Sequence, residues 1–209
     1  MKSLTDFLAG LPSISQFLPV TAIVAILIFL LKEIVEWRRR KAADVRKIQA
    51  LKKVLARECQ LNYTAVDRLR DTLTEMQTSG VTKDANRLTL EKSPAGGYIY
   101  TISDHSGSGI GGVLLAIQRD TFLKYLVEIA GLDASFYAKC EIALDGLSEA
   151  DHVFQLLVHG PEKHFPSTLE NYYDGLIDYG LRELKDSVNR LQELYFLCTG
   201  TVLEHGKLR

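Results

Sequence analysis

The stretch "CQLNYTAVDRLRDTLTEM", Cys59–Met76, decides the fold. Cys59, Asn62, Val66, Leu69, Leu73 and Met76 recur at spacings of 3, 4, 3, 4 and 3, a heptad seam along one face of a helix. Asn62 is its strongly polar member, and a buried Asn in such a seam can fix register and oligomer state. Upstream the stripe continues through Val45, Ile48, Leu51 and Leu55. Neither Pro nor Gly occurs between Pro19 and Gly80, and Ala, Leu, Lys, Arg and Glu, all good helix formers, dominate. The spacing predicts one long helix over about 20–78.

A second seam lies near the C-terminus, in "PSTLENYYDGLIDYGLRELKDSVNRLQELYFLC", Pro166–Cys198. Ile177, Leu181, Leu184, Val188, Leu191, Tyr195 and Cys198 recur at 4, 3, 4, 3, 4 and 3. Ser167 with Glu170 makes a capping box at its start, and Gly200 is a plausible stop. Two long helices with such stripes pack antiparallel most simply. The seam lies within the chain on that reading, or between chains if Asn62 meets its counterpart; the sequence leaves both open.

Outward from the first seam stands "LPVTAIVAILIFLLKEIVEWRRRK", residues 18–41. The fifteen residues Phe17–Leu31 carry no charge, and their span is roughly 22 Å at 1.5 Å per residue. Continuing to Trp37 gives roughly 31 Å, enough for a hydrocarbon core of about 30 Å, with Lys32 snorkelling and paired to Glu36. Trp37 falls where an interfacial aromatic belongs. A buried core helix is disfavoured because Ala22–Leu31 is apolar on every face. A cleaved signal peptide is disfavoured because the cations follow the apolar core instead of preceding it. The same order predicts an N-terminus outside and residues 38–209 in the cytoplasm, across an inner membrane if the source is bacterial. In residues 1–16, Leu4, Phe7, Leu8 and Leu11 share one face, which predicts a short amphipathic segment at the outer interface.

Residues 38–57 hold nine cations against the single anion Asp44, a balance of +8. Residues 58–209 hold fourteen cations and twenty-two anions, a balance of −8. The basic collar, Arg38, Arg39, Arg40, Lys41, Arg46, Lys47, Lys52 and Lys53, is expected to bind anionic lipid, at about 1 kcal/mol per cation near the surface. Nucleic acid is the less favoured polyanion, since the collar lacks interleaved aromatics or a groove-reading motif. The cysteines, Cys59, Cys140 and Cys198, lack paired zinc spacing and are read as free thiols. Neither a metal nor a cofactor is expected.

Between the two long helices, β-prone runs alternate with turn clusters. Three strands, about 86–92, 97–103 and 110–117, are expected as an antiparallel meander. Helices follow over about 119–130, 133–144 and 148–159, the last two broken at Gly146. "GSGIGG", Gly107–Gly112, fits a phosphate-binding string, but a β-like run follows it where the dinucleotide fingerprint needs a helix. Asp104, His105, Gly107, Gly109 and Gly112 form the candidate ligand loop. Asp104, His105 and Ser106 have the residue types of a hydrolase triad, but adjacent residues do not make that relay. His152, His159 and His164 with Glu162 could approach a metal, though not at a recognised helical spacing.

The expected fold is therefore α+β and helix-dominated. A transmembrane helix at 17–37 continues into a basic stalk at 38–80, followed by an α+β domain at 81–209 that packs with the stalk. The expected function is a single-pass membrane-anchored interaction protein. Its cytoplasmic domain would bind a protein partner or form a homo-oligomer, and so control the membrane segment. The interaction seam comprises Asn62, Val66, Leu69, Leu73, Met76, Ile177, Leu181, Leu184, Val188 and Leu191. In layout, one span plus a compact cytoplasmic domain, the chain resembles small membrane-bound effectors of bacterial defence systems. The alternative is a membrane-tethered enzyme or nucleotide-binding protein using His105 and the Gly107–Gly112 loop.

Overall fold

The computed structural model describes residues 20–79, 87–94, 97–103, 109–160 and 169–203. Four fifths of them are helical. The described elements are α1 (Val20–Ser79), β1 (Arg87–Lys92), β2 (Tyr98–Ser103), β3 (Gly109–Leu114), α2 (Asp120–Leu132), α3 (Ala134–His159) and α4 (Leu169–Thr199). The chain divides into two compact units, Met1–Lys47 and Ile48–Arg209.

Helix α1 is uninterrupted for 60 residues, as the absence of Gly and Pro permits. Among the described residues no helix is long and apolar enough to cross a membrane. The apolar run is described from Val20 onward, and Lys32, Glu33 and Glu36 follow it. Residues 17–19 of the predicted span, and the amphipathic segment predicted before it, lie outside the described residues. In this first unit the fold establishes a helix and no more.

In the second unit the seam of α1 is core. Leu55, Cys59, Val66, Leu69, Leu73 and Met76 are completely buried, and Leu51 nearly so. Val45, placed on the same stripe by spacing, is exposed. Ala56, Tyr63, Ala65 and Thr72 are buried as well, so the covered face is wider than a heptad seam. A helix covered that widely has several neighbours, and α1 has α4, α3 and the sheet.

Gln60 donates to the Tyr195 hydroxyl at 3.1 Å, and Leu73 lies against Gly180, so α1 and α4 run antiparallel. A Cβ on Gly180 would stand 2.5 Å from Leu73 Cδ1 and 3.0 Å from Val153 Cγ1. This glycine lets α1, α3 and α4 converge. Helices α3 and α4 are antiparallel too: Lys139 pairs with Glu193 at 2.8 Å, and Tyr172 donates to the Leu156 carbonyl at 2.6 Å. Between those contacts Ser187 Oγ donates to the Gly146 carbonyl at 2.7 Å. Gly146 therefore does not break α3, which runs unbroken where two helices were predicted. A Cβ there would lie 3.3 Å from Ser187 Cα, so the missing side chain permits a close crossing inside a continuous helix.

Helices α2 and α3 meet at Asp133, whose carboxylate caps α3 by accepting from the Phe136 N–H at 2.9 Å. Helix α4 ends at Gly200, whose φ of 74° is the left-handed conformation that a C-terminal glycine adopts without Cβ strain. Ser167 of the predicted capping box lies outside the described residues.

The sheet has order β1-β2-β3, both pairs antiparallel, with Tyr100 between Leu90 and Gly112 and Ile102 between Leu88 and Ile110. Alternation along β2 buries Tyr100 and Ile102 and exposes Ile99 and Thr101. The Tyr100 hydroxyl donates to Glu75 Oε2 at 2.7 Å, joining the sheet to the end of α1.

Candidate functional site

The first unit presents a helix of unusual surface. Ile26, Leu27, Ile28, Phe29, Leu30 and Leu31 are six consecutive apolar residues with exposures between 49% and 63%. Consecutive positions on a helix point in different directions, so no single face is sheltered. Ile34, Val35 and Trp37 extend the exposed apolar surface. Glu36 pairs with Arg40 at 3.4 Å and not with Lys32 as predicted, and the Lys41 ammonium sits 5.2 Å from the centre of the Trp37 ring.

Next along the helix is a shallow, nearly flat exposed patch formed by Arg38, Lys41, Ala42, Val45 and Arg46. The surface of this patch is almost entirely apolar, although three of its five residues are cations. Asp44, the only anion of residues 38–57, is not among them. Among the described residues neither Arg38 nor Arg46 has an ion-pair partner. Arg39, like Arg38, is exposed. Farther along, Lys53 is exposed, whereas half-buried Lys52 lies 5.3 Å from the Phe136 ring and belongs to the second unit.

Inside that second unit, Asn62 has a use that heptad reasoning missed. It is 1% exposed. Its Oδ1 accepts from the Gln118 N–H and its Nδ2 donates to the Gln118 carbonyl, both at 2.8 Å. The same Nδ2 donates to the Glu58 carbonyl at 3.1 Å. The side-chain amide thus holds both backbone groups of one residue in the β3–α2 connection. The next residue, Arg119, reaches Asp151 at 3.0 Å and Ser148 at 3.3 Å on α3. Three segments are pinned through one junction. The signal in the sequence was the polar residue on the apolar stripe; what it pairs with, 56 positions away, was not legible.

The remaining seam residues are also inside this unit. Ile177, Leu184, Val188 and Leu191 are buried, and Leu181 is half-buried. The cysteines, separated in sequence, come together in the core. Burial raises the Cys59 thiol well above its ordinary value, and the neighbouring Cys198 and Cys140 sulfurs raise it further. Cys140 is pushed up to about 12 and Cys198 to about 11, chiefly by burial. All three thiols are free and protonated at neutral pH.

Of the candidate ligand loop, Asp104, His105 and Gly107 lie outside the described residues. Gly109 and Gly112 are on β3, paired with Ser103 and Tyr100. A Cβ on Gly112 would fall 2.8 Å from the Tyr100 ring. This glycine makes room for a buried aromatic, and a strand stands where a phosphate-binding helix would have to begin. His152 and His159 are exposed, their rings edge-on to Tyr179 at 6.2 Å and Tyr98 at 6.3 Å. His164 and Glu162 lie outside the described residues, among which no group of three or more His, Cys, Asp and Glu could hold a metal. No family model, no curated protein and no solved structure matches the chain.

Proposed function

We propose that the chain is a single-pass membrane-anchored interaction protein, with residues 17–37 in the bilayer and residues 38–209 on the cytoplasmic side. The observation that carries this reading is the all-round apolar exposure of Ile26–Leu31. At about 25 cal/mol per Å² of apolar surface removed from water, such a segment gains much by entering lipid, which covers every face of a helix at once. The reading adds residues 17–19 to the described apolar run and places Lys32, Glu33 and Glu36 at the interface beside Trp37. The collar holds the helix end against anionic head groups and fixes the orientation.

The second unit, on this proposal, meets a protein partner or a second copy of the chain and so sets the state of the membrane segment. Its seam residues are buried inside it, so the contact uses other surface. Leu123 and Val127, one turn apart on α2 and 55% and 83% exposed, are what supports a docking face. The test is topological. A reporter enzyme active only outside, fused after Arg209, stays silent, and the full chain remains in the membrane pellet after alkaline carbonate extraction. An active reporter overturns the orientation, and release into the supernatant overturns the anchor.

A further inference from the structure

We propose that the free edge of β3 pairs antiparallel with β3 of a second copy of the chain, joining two three-stranded sheets about a two-fold axis through Gly111. The inference rests on the reading that the second unit meets another chain, and it names the surface and the occupant. Ser93 N–H donates to the Gly97 carbonyl at 3.1 Å, so the alternation of an antiparallel ladder puts the bonded pairs of β1 and β2 at Glu91–Ile99, Thr89–Thr101 and Arg87–Ser103. Tyr98, Tyr100 and Ile102 are then turned to β3. The glycines of β3 agree: a Cβ on Gly111 would stand 2.6 Å from the Tyr100 carbonyl oxygen, and one on Gly109 2.8 Å from that of Ile102. Leu114, Gly112 and Ile110 are their bonded partners inside the sheet. Gly109, Gly111 and Val113 therefore direct their N–H and carbonyl groups outward, and among the described residues no other main-chain group bonds to them. Gly109 and Gly111 are exposed, and for a glycine that exposure is bare main chain. Neither can carry a shielding side chain, because the β2 carbonyls occupy that space.

The two edges of the sheet differ. Strand β1 carries Arg87, Glu91 and Lys92, charges of the kind that keep an edge from pairing. Strand β3, GIGGVL, has neither charge nor proline, and Ile110 and Val113 are exposed on it. A second copy fits this edge better than an arbitrary strand. The axis through Gly111 sets Gly109 opposite Val113 and Ile110 opposite Gly112, so each large side chain of one copy meets a glycine of the other. Residues 58–209 carry a balance of −8, so two copies approach most easily along an uncharged strip, and β3 is one.

The experiment measures the mass of the full chain in mild detergent over a range of concentrations, together with hydrogen exchange resolved to single amides. A dimer is expected, in which the Gly109, Gly111 and Val113 amides exchange more slowly than in dilute, monomeric protein. Val113→Pro removes an outward N–H without touching the ladder to β2. It should weaken the dimer on the order of thirtyfold, because the axis counts each lost bond twice. Ile110→Lys places a charge on the same edge and should also separate the copies, which keeps the test decisive if the proline disturbs folding. Lys92→Pro removes an outward N–H from the β1 edge and should leave the mass unchanged. Circular dichroism on each variant checks that the fold is kept. A dimer that survives both β3 variants overturns the proposal and moves the contact to another surface of the second unit, leaving the interaction reading intact. A strict monomer with all three amides fast overturns it too, and leaves that reading to a different protein partner. Slow amides in a monomer that carries a strand of another protein, seen as added mass lost in Val113→Pro, give the edge to a foreign chain and overturn the second copy.

Discussion

Helix α1 contains two regions of opposite design on one continuous backbone. From Ala22 to Leu31 it is apolar on all sides, and Ile26–Leu31 are exposed without exception. From Leu51 to Met76 most of its apolar residues keep to a broad face and are buried, with Val54 exposed and Leu61 half-buried. What differs is the angular distribution of the side chains: apolar residues keep to one side where protein covers the helix, and surround it in the region proposed to enter lipid. The break between them is a run of cations, which neither kind of burial tolerates.

The largest expected effect comes from the buried region. Leu69 is completely buried, and Leu69→Ala should lower the unfolding free energy by about 2–5 kcal/mol in urea titrations of the full chain in mild detergent. Membrane association should not change. The complementary substitution is Ile28→Arg, which should cost about 2.5–3.5 kcal/mol of insertion free energy near the centre of a span and shift protein into the carbonate-soluble fraction. It should leave the thermal midpoint of the second unit in place. A loss of association from Leu69→Ala, or unchanged association in Ile28→Arg, would break the distinction between the two regions.

Asn62 sharpens the comparison from inside the buried region. If the seam were a coiled coil between chains, Asn62→Leu would raise stability and relax the oligomer state. The bonds to Gln118 reverse that expectation, because leucine strands a backbone N–H and a carbonyl at the junction. A loss of about 1–3 kcal/mol with unchanged mass by light scattering is expected. Higher stability together with a changed mass would return the seam to an interface between chains. Gly180→Ala tests the three-helix crossing and should cost about 1–3 kcal/mol, since its methyl group would press on Leu73 and Val153.

These cases show what was legible. The long helix, the three-stranded meander and the C-terminal helix follow from periodicity and from Gly and Pro placement, both of which are local. Val45 shows the limit of the same method: its spacing continues the stripe, yet it is exposed because nothing in a spacing says where the neighbouring helix ends. Gly146 was misread for a related reason. Glycine weakens a helix on its own, but here a close crossing by Ser187 uses the missing side chain. Tyr100 over Gly112, Asn62 on Gln118 and the convergence of three cysteines are pairings across the chain, carried by no local pattern. The basic collar was half legible, since the cations were plain but the pairing of Arg40 with Glu36 was not.

The smallest effect, and the most selective, is expected in alkali. Residues 20–47 contain neither Cys nor Tyr, so the first region has no thiol or phenol to titrate. The second has several. Burial holds Cys140 at about 12 and Cys198 at about 11, against 9.0 for a free thiol, and Tyr100 and Tyr173 are raised above 10.0. A group whose folded value lies above its unfolded value binds its proton longer in the folded state. Its contribution is complete below the unfolded value and disappears as pH rises through the folded one. The thermal midpoint of the second unit should therefore be steady up to about pH 9 and fall between roughly pH 9 and 12. Arginines of the collar keep their charge throughout that window, so association with anionic vesicles should outlast the folded unit. Cys198, half-buried, should react with a thiol reagent before Cys59 and Cys140, which should wait for unfolding. Cys198→Ala should flatten the alkaline slope without touching vesicle binding. Simultaneous loss of the unit and of association across the window would mean that the two regions depend on each other. Three thiols titrating together near their free value would mean that they are not buried in one core.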